Sequence, residues 1–595
     1  MASKQKAIQL PKGTSITKLT EKLKAEKKAA FEYQQRRHAQ WDENYLLYRD
    51  KVQINRLTQR HAVNIPLIKE TIRTILPRID EEPDITFEDK GGDLDKEIGI
   101  HAQWQEDYDK NNLQLIDYVD KKQVGLYGRS TKKLNWEGGR FTSELKDVHD
   151  ILFDPKGNPL DIETNRYLVE PHIFRSLEEI LTNEAYDKEG RGKLRGMIDS
   201  SGKKVATRRS EQNKKMYLAR QRRMQQLSDG NKAWEDIEKM DYDHMEELTQ
   251  HYTQIWDEQA KDFVRYVVLM AGESVVLRAQ PLKVVLGVDF WPFESWADDI
   301  EATDQYSDSI ADMIRTPNQI INIWLSQLIE NRTLRNFGMN FYNSTVKGFE
   351  PKKMTPRPGG WFPLPGKPQD VYQRVDIPEL NGTTDEIQFL ISLAEKASAT
   401  GAVDKGVIEQ AKRTLGEIEI AVGKAEQRTT SMSKFYRLSW KRYVEKWYAL
   451  YDANFRESQA VTLFKRNPKG VLVSKEFKRE DLISEKGYKI SASPANEKTS
   501  DKVEKIQRLM AVRQEFPDNA PLNKAIQKRL ISLAELTPEE MQEIETYEAQ
   551  KIVASVGGGV PGEESIPPDQ AQGIGEIDQA LQAAGVPPTS APQPA

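Results

Sequence analysis

TPNQIINIWLSQLIENRTLR, residues 316–335, is the stretch whose reading decides the fold. With the residues just before it, this stretch places Ile310, Ile314, Pro317, Ile321, Trp324 and Leu328 in steps of four and three, the spacing of one apolar stripe along a helix. A helix so striped packs lengthwise against something. Thr316 followed by Pro317 predicts an N-cap with proline at the first helical position, where a missing N–H costs nothing. The chain from Asp304 should then enter through a bend, and the helix beyond it should span roughly 30 Å at about 1.5 Å per residue.

Moving outward, 263–269, 275–277 and 282–288 read as β-strands around a turn at Ala271 and Gly272, leading to Trp291-Pro292-Phe293. Further upstream, Gly125, Leu126, Tyr127 and Gly128 end an apolar run that predicts a strand, and 148–155 closes on Asp154-Pro155. Short β-capable runs with glycine turns predict a small sheet packed by helices, an α+β region. Trp41, Tyr45 and Tyr48 share one helical face, and Pro66 opens a second periodic helix, with Ile72 and Ile75, that Pro77 ends. Residues 1–40 carry Lys18, Lys22, Lys24, Lys27, Lys28, Arg36 and Arg37, which predicts a solvated helical arm.

Downstream of Arg335, 337–346 is β-like, and 351–368 is so dense in Pro, Gly and Lys that it predicts a protruding turn module. Ile387, Leu390, Ile391 and Leu393 mark a returning helix over 385–399. The stretch 401–416 is polar and broken by Gly401, Gly406 and Gly416, so a flexible loop is expected. A long helix with Met432, Phe435, Tyr436, Tyr443, Trp447, Leu450 and Tyr451 follows to about Phe455. Short strands over 461–490 come next, then helices from Lys502 that include a capping box at Thr537-Pro538-Glu539-Glu540. The Gly-, Pro-, Ala- and Gln-rich 555–595 should be disordered.

Pro317, Gln319, Asn322 and Ser326 form a P-x-Q-x-x-N-x-x-x-S pattern. It resembles the one that opens the stem helix in portal proteins of tailed bacteriophages, particularly the podovirus type. From about Trp41 to Ile552 the order of elements is similar to that family. The resemblance implies a portal fold, α+β, with a mixed wing, a two-helix stem, a β-containing clip and a helical C-terminal crown. On this chain it implies a basic arm at 1–40, wing at 41–303, stem helix at 304–336, clip at 337–383 and returning stem helix at 384–400. A tunnel loop at 401–420, the long helix with the second part of the wing at 421–494, crown helices at 495–554 and a disordered tail at 555–595 complete it.

Charge and composition bear on function independently. The 595 residues carry a net charge of −5, are 30% charged and 38% hydrophobic, and have a mean hydropathy of −0.70. No run of about 18 apolar residues exists to span a bilayer, and MASKQKAIQLPKG lacks the apolar core of a signal peptide. Without cysteine there is no disulfide or thiolate metal site. Assembly in the cytoplasm is expected. A protein that grips phosphates over much of its surface would be basic, whereas mild acidity suits a conduit through which DNA slides. The block 203–223 carries nine Lys or Arg against Glu211 alone, and 229–262 is dominated by acids, which predicts solvated helix faces or a charge pair between subunits.

Motifs for chemistry are few. GMIDSSGK at 196–203 has five residues between its glycines and Lys204 where a phosphate loop needs Ser or Thr. His244 and His251, with Asp241, Asp243 and Glu247 nearby, lack the spacing of a metal site and predict an exposed polar helix face. No catalytic residue, cofactor or metal is expected.

The resemblance therefore implies a ring of about twelve subunits at one capsid vertex, in the virion, through which double-stranded DNA is packaged and ejected without sequence preference. It implies terminase, head-tail adaptor or tail proteins, and major capsid and scaffolding proteins as partners, and no membrane. Trp361 and Phe362 are the expected clip contacts, and Lys405, Lys412 and Arg413 the expected channel-loop cations. A tail or scaffold protein without a channel is the alternative. A DNA-processing enzyme, such as a terminase or nuclease subunit, is a further one that would need metal-binding acids or a true phosphate loop.

Overall fold

The computed structural model describes residues 7–50, 63–79, 83–195, 245–272, 274–336, 340–348, 350, 363–374, 377–380, 382–398, 415–456, 460–466 and 472–493. Internal contacts divide the chain into two units, and apart from Arg466 the described residues belong to the first, Met1–Lys465 with Leu472–Thr499. The expected crown helices at 495–554, the expected tail at 555–595 and the basic block at 203–223 fall outside the described residues.

In chain order the elements are α1 (Ile16–Tyr48), α2 (Leu67–Ile75), β1 (Asp84–Asp89), α3 (Leu94–Lys110), α4 (Leu113–Tyr127), β2 (Arg129–Glu137), β3 (Arg140–Lys146) and β4 (Leu152–Phe153). Next come β5 (Tyr167–Ser176), α5 (Leu177–Thr182), α6 (Lys188–Arg195), β6 (Met245–Asp257), β7 (Asp262–Ala271), β8 (Val275–Pro281), α7 (Leu282–Leu286) and β9 (Phe293–Ala297). The helix α8 (Ile310–Asn336) precedes β10 (Asn340–Tyr342), α9 (Pro368–Val371), β11 (Tyr372–Arg374) and α10 (Thr383–Ser398). Last are α11 (Leu415–Asn454), β12 (Ala460–Arg466), β13 (Leu472–Lys478), α12 (Arg479–Leu482) and β14 (Tyr488–Ser493). Helices and sheets are interleaved, so the α+β class holds.

The largest sheet runs β4-β5-β6-β7-β8, antiparallel throughout. Its strands alternate as a two-faced sheet must. On β7, Tyr266, Val268 and Met270 cluster with Leu19 and Leu23 of α1, while Leu269 and Ala271 pack with Leu177, Ile180 and Leu194 of α5 and α6. A second sheet, β3-β2-β9, packs against α4 and α11, and β1 pairs with β14 across some 400 residues of chain. The main core gathers Trp41, Ile72, Trp104, Ile314, Ile321, Tyr436, Trp440, Tyr443 and Trp447.

Several expectations need correction. The decisive helix begins at Ile310, not at Thr316, and Pro317 lies inside it. Ser309 supplies the cap. Its hydroxyl accepts from the Asp312 amide at 3.1 Å, and the Asp312 carboxylate accepts from the Ser309 amide at 2.9 Å, a reciprocal box that starts the helix two turns early. The carbonyl that Pro317 leaves unbonded belongs to Met313, which faces solvent and can be hydrated.

Gly125 to Tyr127 form the last turn of α4 rather than a strand. Gly128 caps that helix at φ +81°, where a Cβ would stand 2.1 Å from the Ser307 carbonyl oxygen. Residues 282–286 are a short helix, stopped by Gly287 at φ +77°, in place of the strand that Val284 and Val285 suggested. The helical arm is no free arm: α1 crosses position 40 unbroken and buries Leu19, Leu23, Lys27, Ala30, Phe31 and Gln34. The expected loop at 401–420 ends earlier, because α11 starts at Leu415; 401–414 lies outside the described residues.

Candidate functional site

The buried ridge of α8 is Ile310, Ile314, Asn318, Asn322 and Ser326, a straight line of fours that is aliphatic above and polar below. Pro317, Trp324 and Leu328, expected on the stripe, are half-buried. The polar residues have a definite task. The amide of Ile65 donates to Asn322 Oδ1 at 2.9 Å, and the amide of Val63 donates to Ser326 Oγ at 3.2 Å. Asn322 Nδ2 donates to Asn64 Oδ1, and the Ser326 hydroxyl donates to the Asn322 carbonyl at 2.7 Å.

An extended segment over 63–66, which has no strand partner for its amides, is thus bonded sideways onto the helix. Gln319 Nε2 donates to Glu43 of α1, which also pairs with Arg315 at 3.5 Å. Gln319, Asn322 and Ser326 are therefore brought together with α1 and the entry to α2, where they latch α8 to the body. Asn318 differs: it is fully buried, and neither amide atom makes a hydrogen bond.

Below the latch, α8 pairs with α10 through Trp324, Leu325, Ile387, Leu390, Ile391 and Ala394. Asn331 donates to the Pro378 carbonyl at 3.0 Å, and Arg335 meets Glu379 at 2.8 Å. Phe389 and Leu393 stand on the opposite side of α10 from Ile387 and Ala394, and Phe389 is 65% exposed. On α8, Met313, Ile323 and Leu334 form another exposed apolar set. Trp361 and Phe362, and Lys405, Lys412 and Arg413, lie outside the described residues. Exposed aromatics near the expected clip are instead seen at Phe341, Tyr342 and Tyr372 on the two-stranded β10–β11 sheet. The β-like reading of 337–346 pointed to the region but not to these side chains.

The body that holds this pair is locked by α11. Tyr436 donates to Asp117, and Trp440 Nε1 donates to the same carboxylate at 3.2 Å. Trp447 Nε1 donates to Asp107 at 3.0 Å, and Tyr443 to Ser143 at 2.6 Å. Lys132, fully buried, pairs with Asp120 at 2.8 Å beneath the Trp440 ring, and Trp296 Nε1 adds a second donor to Asp120 at 2.8 Å. Nearby, Glu170 receives Lys133 at 2.7 Å and Lys146 at 2.6 Å. Burial opposes its charge, yet the two ammonium groups hold its carboxyl below the usual range.

The histidine reading is corrected as well. His251 sits on strand β6, not on an exposed helix face, and is buried; burial and then the charge of Lys27 push its pKa down to about 3, so it is neutral. His244 lies outside the described residues. In the described part of the acidic stretch Glu246 and Glu247 are interior, Glu247 pairing with His172 at 2.7 Å, while Glu258 and Asp262 are exposed. Among the described residues no group of three or more His, Asp or Glu could hold a metal ion. No protein-family model matches the chain, and no curated protein matches it.

Proposed function

We propose that this chain is the subunit of a ring-shaped portal of a tailed bacteriophage, a non-catalytic channel for packaging and ejecting double-stranded DNA. The observation that carries this reading is the α8–α10 pair. It is latched firmly to the body at one end, yet it keeps apolar faces on two different helices, Met313, Ile323 and Leu334 on one and Phe389 and Leu393 on the other. Two unlike faces on one chain join copies head to tail, and head-to-tail contacts that close by rotation make rings. The net charge of −5 suits a passage that lets phosphates slide.

In this reading terminase supplies the ATP hydrolysis, and adaptor or tail proteins dock later, with β10–β11 close to their contact. The ring sits at one capsid vertex of the virion, among major capsid and scaffolding proteins. Negative-stain images of the purified full chain test it: rings with an open centre are expected, and a population of only monomers or two-fold dimers overturns it.

A further inference from the structure

A cavity of about 850 Å³ lies between α3, the β2–β3 hairpin, the end of α11 and the start of β12. One wall is aromatic: Trp136 meets Tyr451 edge to face at 5.6 Å, and Tyr451 stacks on Phe455 at 4.9 Å. The lining also includes Gln103 and Asp107, both more than nine-tenths buried. Gln103 Oε1 has no hydrogen-bond partner although it is buried. Asp107 accepts the Trp447 indole N–H at 3.0 Å and a side-chain N–H of Gln103. A buried acceptor left open, beside a buried carboxyl whose hydrogen-bond donors, Trp447 and Gln103, are both neutral, favours a guest that brings N–H donors and positive charge.

The other groups around Asp107 agree with that polarity. On its own helix stand Glu106 and Lys110, whose ammonium is bound to Glu106. From α11 come Tyr443, Trp447 and Tyr451, and from the hairpin Glu137 and Arg140. Among the described lining residues three acids, Glu106, Asp107 and Glu137, face two bases, Lys110 and Arg140, and the aromatic faces attract cations while covering an aliphatic stem.

We propose that this cavity binds an organic cation with N–H donors on an aliphatic stem, either a free polyamine or the lysine or arginine side chain of a peptide. The ammonium meets Asp107 and Gln103 Oε1, and the methylenes lie against Trp136 and Tyr451. Because burial raises the Asp107 pKa to about 6, the site gains affinity as pH rises and the carboxyl ionises.

The test is calorimetric titration of the full-length protein with spermidine, with agmatine and with N-acetyl-lysine amide. Saturable binding of at least one, at millimolar or tighter affinity, is expected, with 1,4-butanediol inert. Spermidine alone binding assigns the site to free polyamines, and N-acetyl-lysine amide binding equally well assigns it to a peptide. Asp107→Asn, which keeps an acceptor for Trp447, should weaken binding about tenfold and abolish its rise between about pH 5 and about pH 7. Should that variant unfold, Trp136→Leu, at a half-buried wall position, is expected to weaken binding as well. The proposal is overturned if none of the three cations binds up to about 10 mM, or if the folded variants bind as tightly as the parent.

Discussion

The two long helices α8 and α11 are handled in opposite ways. From Met432 to Asn454, α11 turns Tyr436, Trp440, Tyr443 and Trp447 inward, and every indole and phenol among these four finds a carboxylate or hydroxyl of the same chain. Below its latch, α8 packs on α10, and both keep large apolar side chains in solvent. The inward face of α11 is satisfied within a single copy, although Phe435 and Leu438 stay exposed, whereas α8 and α10 have apolar surface that a second copy can cover. Amphipathic spacing alone does not separate these cases, since both helices carry it.

The largest effect should come from breaking the complete side of this contrast. Asp120→Ala leaves the Lys132 ammonium buried beneath Trp440 without its carboxylate, and removing one partner of a buried pair costs about 3–5 kcal/mol. Urea unfolding should show a loss of that size. A cost under about 1 kcal/mol would mean that water reaches Lys132 and that the α11 interface is not sealed.

Next is Asn318, the one position on the buried ridge of α8 with an unanswered amide. Asn318→Leu removes a buried polar group of similar volume and should stabilise the chain by roughly 1–3 kcal/mol. Destabilisation in thermal melts would show instead that a buried water answers the amide within the fold.

A smaller effect belongs to Glu26, at the junction of α1 and the large sheet. Burial outweighs the nearby Lys22 and raises its pKa from 4.5 to about 7. The folded chain therefore holds this proton more tightly than the unfolded one, so stability declines as pH rises from about 4.5 to about 7 and stays reduced above it. Glu26→Gln should flatten that slope and raise stability at pH 8 by on the order of 1 kcal/mol, read as a higher melting temperature. An unchanged pH profile would place Glu26 in contact with solvent.

Much of this was legible in the sequence, and the failures have physical causes. The presence and type of α1, α2, α8, α10 and α11 followed from 3.6-residue spacing, which long helices display over many turns. The start of α8 was misread because Thr316-Pro317 is a good local cap, while the Ser309–Asp312 box outcompetes it from two turns upstream. Residues 282–286 carry β-branched valines in too short a run for periodicity to arbitrate. His251 looked solvated because acids surround it in sequence, yet on a strand alternate residues face opposite sides. The motif residues Gln319, Asn322 and Ser326 were visible, but their partners Glu43, Asn64 and Ile65 lie more than 250 residues away, beyond any local pattern.

The smallest effect on stability, and the most informative for assembly, is expected on the open side. Phe389→Ser with Leu393→Ser changes two exposed positions of α10, so the monomer should lose at most about 1 kcal/mol, mostly through helix propensity. Assembly should nonetheless be lost. Native mass spectrometry of the parent chain and this double variant tests the central claim most directly. The account predicts a closed assembly of about twelve 68.2 kDa chains for the parent and folded monomers for the variant. A monomeric or dimeric parent, or a variant that assembles as the parent does, would contradict it.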